Sequence, residues 1–179
     1  MSSGQRVVSN RSPLIWLAKI DRLSLLKTLF GEVIIPRKVC TETTLGESAD
    51  SILIRRAVEK GWIKVSEEET EEAQELVQVS GIHLGEAEAI LLARKTGLNM
   101  LIDEREASAT AQVFGVRPVG IVAVLLLALA KSQLTFSAFK DCLDLLIASG
   151  FWPTVDVYKR ALDDAQSTAN ERMRQWEPN

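Results

Sequence analysis

The chain has 179 residues, of which 46% are hydrophobic and 25% are charged, and its formal net charge is −3. These values are typical of a globular protein that buries one core, and they exclude a disordered or fibrous chain. The slight negative charge argues against tight, purely electrostatic binding to nucleic acid, although it leaves room for a local basic groove. Two distant cysteines, Cys40 and Cys142, form neither a disulfide framework nor a metal cluster and suit a reducing cytosol.

Membrane and export signals are absent from the sequence pattern. The first ten residues lack the basic start and apolar core of a secretory signal. The most apolar run, residues 120–130, is much shorter than the ~20 residues that a membrane-spanning helix needs, so it predicts a core helix. We therefore expect a soluble, cytoplasmic protein without a membrane partner.

Short β-branched segments alternate with helical patterns along the chain. The predicted strands are residues 6–9, 32–36, 62–65, 99–103 and 116–119. The predicted helices are 13–30 with a break near Asp21 or Ser24, 37–45, 49–61, a helix opened by a capping box of Ser66 and Glu69, 84–97, 104–114, 121–131, 136–149 and 155–165. Because crossover helices join parallel strands, the pattern predicts an α/β fold with helices on both faces of a parallel sheet. We expect one domain over residues 1–165 and a polar tail over 166–179.

Polar residues follow several of the predicted strands. Asn10 follows the first strand and Asp103 ends the fourth. Glu42 lies in the helix after the second strand, and Glu86 opens the helix that leads to the fourth. Because the carboxyl ends of parallel strands meet at one edge of the sheet, we expect these side chains, with Ser12 nearby, to form a rim of three carboxylates and one amide.

Such a rim suits a hard divalent cation. Mg²⁺ prefers oxygen ligands, keeps several waters and binds through few carboxylates together with substrate phosphate. A bound ion lowers the pKa of a water molecule and offsets the charge that builds up on a phosphorus centre. The single histidine, His83, is interpreted as a loop residue, so zinc chemistry and Ser/His catalysis are poorly supported.

Each rim residue also has a purely structural interpretation. Glu86 lies in a first helical turn, where the helix dipole favours acids. Asp103 could cap the helix that follows it, and Glu42 could be a surface residue of a short helix. Asn10 could hold the turn before Pro13. The residues alone leave both interpretations open.

Four segments together resemble a known family. They are "VVSNRSPLIWLAKIDRL", "LFGEVIIPRKVCTE", "LGEAEAILLARKTGLNMLIDEREA" and "LIASGFWPTVDVYKRAL". The chain resembles a PIN-like domain protein of a prokaryotic subfamily related to VapC-type toxin ribonucleases, from Val7 to about Ala165. The resemblance implies a Rossmann-like three-layer α/β/α PIN domain with a central parallel sheet of about five strands. It also implies Mg²⁺- or Mn²⁺-dependent endoribonuclease activity on single-stranded or structured RNA, a homodimer, and a small antitoxin protein as partner.

The resemblance also assigns candidate catalytic and metal-binding residues. Asn10 takes the position of the family's first aspartate, and Glu42, Glu86 and Asp103 take those of three further acids. Glu104 is a possible substitute for Asp103 if the register shifts by one residue.

The substrate-binding candidates lie beside these acids. Ser12 matches a hydroxyl position next to the first aspartate, and Arg11 and Arg105 could meet RNA phosphates.

The amide at position 10 separates two hypotheses about activity. The carbonyl oxygen of Asn10 can still bind Mg²⁺, but it is neutral, so three carboxylates stand where the family pattern has four. We therefore expect a weakened or conditional ribonuclease. The alternative is a catalytically inactive PIN-like module that binds nucleic acid or protein.

Overall fold

A parallel sheet of five strands forms the centre of the fold. The computed structural model describes residues 6–67 and 71–175. The strands are β1 (Val7–Ser9), β2 (Val33–Pro36), β3 (Ile63–Ser66), β4 (Met100–Leu101) and β5 (Pro118–Val119). Their order in the sheet is β3-β2-β1-β4-β5, and every neighbouring pair is parallel. The predicted α/β fold with about five parallel strands is therefore confirmed.

Helices connect and flank these strands. In the described part of the chain they are α1 (Arg11–Lys19), α2 (Ser24–Phe30), α3 (Arg37–Thr44), α4 (Ala49–Glu59), α5 (Glu71–Ser80), α6 (Leu84–Thr96), α7 (Arg105–Val113), α8 (Ile121–Ala130), α9 (Phe136–Ala148) and α10 (Val155–Gln175). Helices α1, α3 and α4 contact one another, whereas α5 and α7 both pack on α6. Both groups contact the sheet and make the three-layer α/β/α arrangement that the resemblance implies.

The core lies between the sheet and the helices that cover it. Val8 on β1 and Met100 on β4 pack with Ile90 on α6 and with Ala107 on α7, and all four are fully buried. Strands covered on both faces are apolar along their whole length, which explains why β1, β2 and β4 are rich in Val, Ile, Leu and Met. Burial of these side chains is the main term that holds the sheet together.

Several boundaries differ from the sequence predictions. The predicted break in the first helical segment is confirmed, because α1 ends at Lys19 and α2 begins at Ser24. Asp103 lies two residues beyond β4, which ends at Leu101, rather than at its last position. Helix α10 continues to Gln175, well past the expected end at Ala165.

One predicted helix start lies at the edge of the described residues. The proposed capping box falls partly outside the described residues, because Glu69 is not among them.

The chain divides into two compact units between Ile121 and Val122. Within the described ranges, no single helix is long and apolar enough to cross a membrane, and only the bent pair α5 and α6 passes by length and composition.

Candidate active site at the carboxyl edge of the sheet

The strand order creates a crevice between β1 and β4. From β1 the chain crosses to β2 and β3 on one side, and it then returns to β4 on the other side. Ligands of open α/β sheets bind at such a switch point, outside the carboxyl ends of the strands. Ser9 pairs with Leu101, and the backbone N–H of Asn10 donates to the backbone carbonyl of Leu101 at 2.9 Å. The residues that follow β1 and β4 are therefore neighbours.

Asn10 reaches across this crevice to Glu104. Asn10 occupies the N-cap position of α1, yet its side chain makes no cap hydrogen bond and is only 1% exposed. Its Nδ2 instead donates to Glu104 Oε2 at 3.2 Å. The hydroxyl of Ser12 donates to the other carboxylate oxygen, Oε1. Both oxygens of Glu104 are thus held by residues that follow β1.

Asp103 lies beside this group but faces another element. Its Oδ1 accepts from the backbone N–H of Ile121, the first residue of α8, at 2.8 Å. A Cβ at Gly120 would lie 3.1 Å from that oxygen, so only glycine permits this approach without displacement. Asp103 therefore caps α8, and the expectation that it could cap α7 is wrong, because Glu104 holds that N-cap position.

The second oxygen of Asp103 is the least satisfied polar atom of the site. Oδ2 is fully buried and has no hydrogen-bond partner within the described ranges. The pKa of the Asp103 carboxyl is raised from 3.8 to about 6, chiefly by burial; the Ile121 N–H opposes this shift and the charge of Glu104 adds to it. A buried carboxylate oxygen without a partner carries a desolvation cost that a cation would offset.

Glu42 lies at the junction of α3 and α6. Its Oε2 is 3.8 Å from Arg11 Nη1, and its Oε1 is 3.9 Å from Lys38 Nζ. A Cβ at Gly85 would lie 3.6 Å from Glu42 Oε2, which places this carboxylate against the start of α6. Glu42 therefore has two cationic partners, one of them next to Asn10 in the chain.

Glu86 is buried in the first turn of α6 and bonds to its own helix start. Its Oε2 accepts from the backbone N–H of His83 at 2.8 Å, and the residue is 7% exposed. His83 lies in the loop before α6, as predicted. This contact satisfies one of the amides that a helix start leaves without an intrahelical partner.

The structure brings some of the candidate residues together and keeps others apart. Asn10 and Ser12 join at Glu104, with Asp103 adjacent in the chain. Among the residues that the structure describes, no three His, Cys, Asp or Glu side chains form a group that could hold a metal ion. The expected rim of Glu42, Glu86 and Asp103 is thus not assembled as one cluster. The role of each acid in catalysis stays a prediction.

The candidate substrate-binding arginines both lie at this edge. Arg11 is the first residue of α1 and pairs with Glu42, while half of its side chain is exposed. Arg105 is the first residue of α7 and is exposed. Their contact with RNA phosphates stays a prediction.

Glu104 is the residue whose position the sequence prediction undervalued. The sequence offers Glu104 only as a substitute for Asp103 in a shifted register, whereas the Glu104 carboxylate is the one in contact with Asn10 and Ser12. The sequence does contain one signal. Two consecutive acids follow β4, and an amide that follows the neighbouring strand needs an acceptor for its N–H groups.

The donor set suits a hard divalent cation. Asp103 has a carboxylate oxygen without a partner, and Glu104 and Asn10 contribute further oxygen atoms at the same edge. Such oxygen-only sets are those that Mg²⁺ and Mn²⁺ accept. Fold and site together define an α/β protein with an oxygen-rich crevice at the switch point of its sheet.

Comparison with known families agrees with this description. A family model described as PIN domain matches residues 6–167. The chain therefore belongs to the PIN domain family, and this membership indicates a nuclease-type function. No match was found among curated proteins. Kinship with VapC-type toxins stays a prediction.

Proposed function

We propose that the protein is a Mg²⁺- or Mn²⁺-dependent endoribonuclease whose metal site is centred on Asp103. The observation that carries the proposal is the buried Oδ2 of Asp103, which has no hydrogen-bond partner among the described residues. Burial without a partner destabilises the charged carboxylate, and the cap of α8 uses only Oδ1. A cation is the ligand that would remove this cost.

The residues of this edge would share the work. Asp103 would hold the ion through its carboxylate oxygens, and Asn10 would contribute its neutral carbonyl. When bound, the ion lowers the pKa of water and offsets negative charge on the scissile phosphate. Arg11 and Arg105 would bind neighbouring RNA phosphates, which position the substrate without reading its sequence.

The proposed ribonuclease cleaves RNA slowly. The Asn10 amide is neutral, so it adds no negative charge to the site where the family pattern has an aspartate. Glu42 has Arg11 and Lys38 as partners, and Glu86 bonds to its helix start. For Glu42 or Glu86 to bind the ion as the family pattern implies, these contacts must first open.

The test is cleavage of single-stranded and structured RNA with purified protein and Mn²⁺. We expect slow cleavage that EDTA abolishes and that Asp103→Asn removes. Asp141→Asn, the same change at an exposed position of α9, is the matched control and should cleave like the wild type. Cleavage that persists unchanged in Asp103→Asn would overturn the proposal.

A second candidate function is a catalytically inactive module that binds RNA or protein. The hydrogen bond from Asn10 to Glu104 favours it, because this bond satisfies the Glu104 carboxylate without a metal. Asn10→Asp separates the two candidates, since it adds the missing negative charge. A gain in Mn²⁺-dependent cleavage supports the ribonuclease, whereas RNA binding without cleavage in both proteins supports the module.

Assembly and location belong to the same proposal. We propose a homodimer, supported by the exposed apolar side chains of Trp152 and Val155, and a small antitoxin protein as partner in the cytoplasm. Light scattering coupled to size-exclusion chromatography tests the dimer, for which the expected mass is twice 19.8 kDa. A monomer at all concentrations would contradict it.

A further inference from the structure

The side chain of Glu104 is fixed from both sides. Asn10 Nδ2 donates to Oε2 at 3.2 Å, and the Ser12 hydroxyl donates to Oε1. Glu104 does not use its carboxylate to cap α7, although it occupies the N-cap position of that helix. A partly buried glutamate is thus held across the crevice rather than by its own helix.

The chemistry of the pair fixes the orientation of the amide. A carboxylate only accepts hydrogen bonds, so the nitrogen of Asn10 and not its oxygen must face Glu104. Asn10 is 1% exposed and cannot turn this N–H towards water instead.

Immobilising a glutamate costs side-chain entropy. Here the two donors, Asn10 Nδ2 and the Ser12 hydroxyl, offset that cost. Each carboxylate oxygen retains a second lone pair after these bonds, so the fixed anion can still accept a cation.

We propose that Glu104 is a further metal-binding residue of this site and that the Nδ2 group of Asn10 and the hydroxyl of Ser12 position its carboxylate. The inference rests on the proposed function and adds a specific claim to it. The negative charge and the amide of the Asn10–Glu104 pair are interchangeable, because a glutamine at position 104 would donate to an aspartate at position 10 through the same bond in reverse.

The test uses Mn²⁺ alone as the probe and measures its affinity by isothermal titration calorimetry. Four proteins are compared: the wild type, Asn10→Asp, Glu104→Gln and the double variant. Glu106→Gln is the matched control, because it removes the same charge two residues further along α7 from an exposed side chain. Melting in EDTA is recorded for each protein, so that a variant that fails to fold is recognised.

We expect Glu104→Gln to weaken Mn²⁺ binding by about tenfold or more, a loss typical of disturbed metal sites. The double variant should recover most of that affinity, and Glu106→Gln should bind like the wild type. In EDTA, Asn10→Asp should melt lower than the wild type because two carboxylates then face each other, and the double variant should melt higher than Asn10→Asp.

Three results count against the inference in distinguishable ways. Wild-type binding together with equal binding by Glu104→Gln removes Glu104 from the site and leaves the proposed function standing. Weak binding by Glu104→Gln that the double variant does not recover overturns the claim that the charge and the amide of the pair are interchangeable. A folded wild type that binds no Mn²⁺ overturns the proposed function, and the inference with it.

Discussion

Two groups of acids at the same edge of the sheet are treated differently by their surroundings. At the junction of α3 and α6, Glu42 has two cationic partners and Glu86 bonds to the amide of its own helix start. In the crevice between β1 and β4, Asp103 keeps a buried oxygen without a partner in the described chain. Local contacts explain the first group. In the second group, the desolvation cost of the buried Asp103 oxygen is not offset by any contact in the described chain, and such positions are characteristic of functional sites.

The largest expected effect is that of Asp103→Asn. The change should lower Mn²⁺-dependent cleavage by ~100-fold or more, beyond the loss seen for residues that only orient metal ligands. It should also stabilise the metal-free protein at pH 7.5 by up to about 3 kcal/mol, because a buried charge is removed and the oxygen that caps α8 is kept. Chemical denaturation in EDTA measures the second effect. Lower stability of the variant would show that the carboxylate serves the fold.

The pH dependence of stability follows from the same group. The pKa of Asp103 is about 6 in the folded protein, whereas 3.8 is the ordinary value, which applies to the unfolded chain. Between these two pH values the folded protein therefore binds more protons than the unfolded chain. The contribution of Asp103 to the free energy of unfolding should therefore fall as pH rises from about 4 to about 6 and stay level above that range.

The measurement is the difference in unfolding free energy between wild type and Asp103→Asn across this range. The difference should be larger above pH 6 than at the acid end, by up to about 3 kcal/mol. Parallel curves for the two proteins would contradict this prediction.

A smaller effect is expected at Glu86. Glu86→Ala removes the acceptor for the His83 N–H and should cost about 1 kcal/mol, as lost helix caps do. Glu86→Gln keeps an acceptor oxygen and should melt close to the wild type. Both variants should lose less cleavage activity than Asp103→Asn. Equal loss of activity in Glu86→Gln and Asp103→Asn would place Glu86 in the metal site and erase the contrast between the two groups.

The smallest effect is expected at Glu42. Its ion pairs with Arg11 and Lys38 are long and lie at a partly exposed position, where such pairs contribute between about 0 and 1 kcal/mol. Glu42→Gln should therefore shift the unfolding free energy by less than about 0.5 kcal/mol at moderate salt. A loss of several kcal/mol in urea denaturation would mean that the junction depends on this charge.

The sequence predicts the fold better than it predicts the site, for a physical reason. Hydrophobic periodicity is local, so the alternation of strands and helices and the break between Lys19 and Ser24 could be predicted from it. The contact between Asn10 and Glu104 depends on the register of β1 against β4 and on which of two adjacent acids faces the crevice. Neither the register nor the orientation of the two acids produces a periodic pattern in the sequence.

Helix ends show the same limit. The apolar pattern weakens after Ala165, yet α10 continues to Gln175, because residues 166–175 contain several good helix formers and neither glycine nor proline. The acids after β4 could be assigned to the active edge from strand order, but their partners could not. Side-chain hydrogen bonds such as that of Asp103 with Ile121 join residues far apart in the chain.

The central claim is that the crevice between β1 and β4 binds a divalent cation through Asp103. Thermal melts of the wild type and Asp103→Asn at pH 7.5, each with EDTA and with excess Mn²⁺, test it most directly, because a ligand of the folded state stabilises that state in proportion to RT ln(1 + [L]/Kd). We predict that Mn²⁺ raises the melting temperature of the wild type and leaves that of Asp103→Asn unchanged. Equal shifts in both proteins, or no shift in the wild type, would contradict the claim.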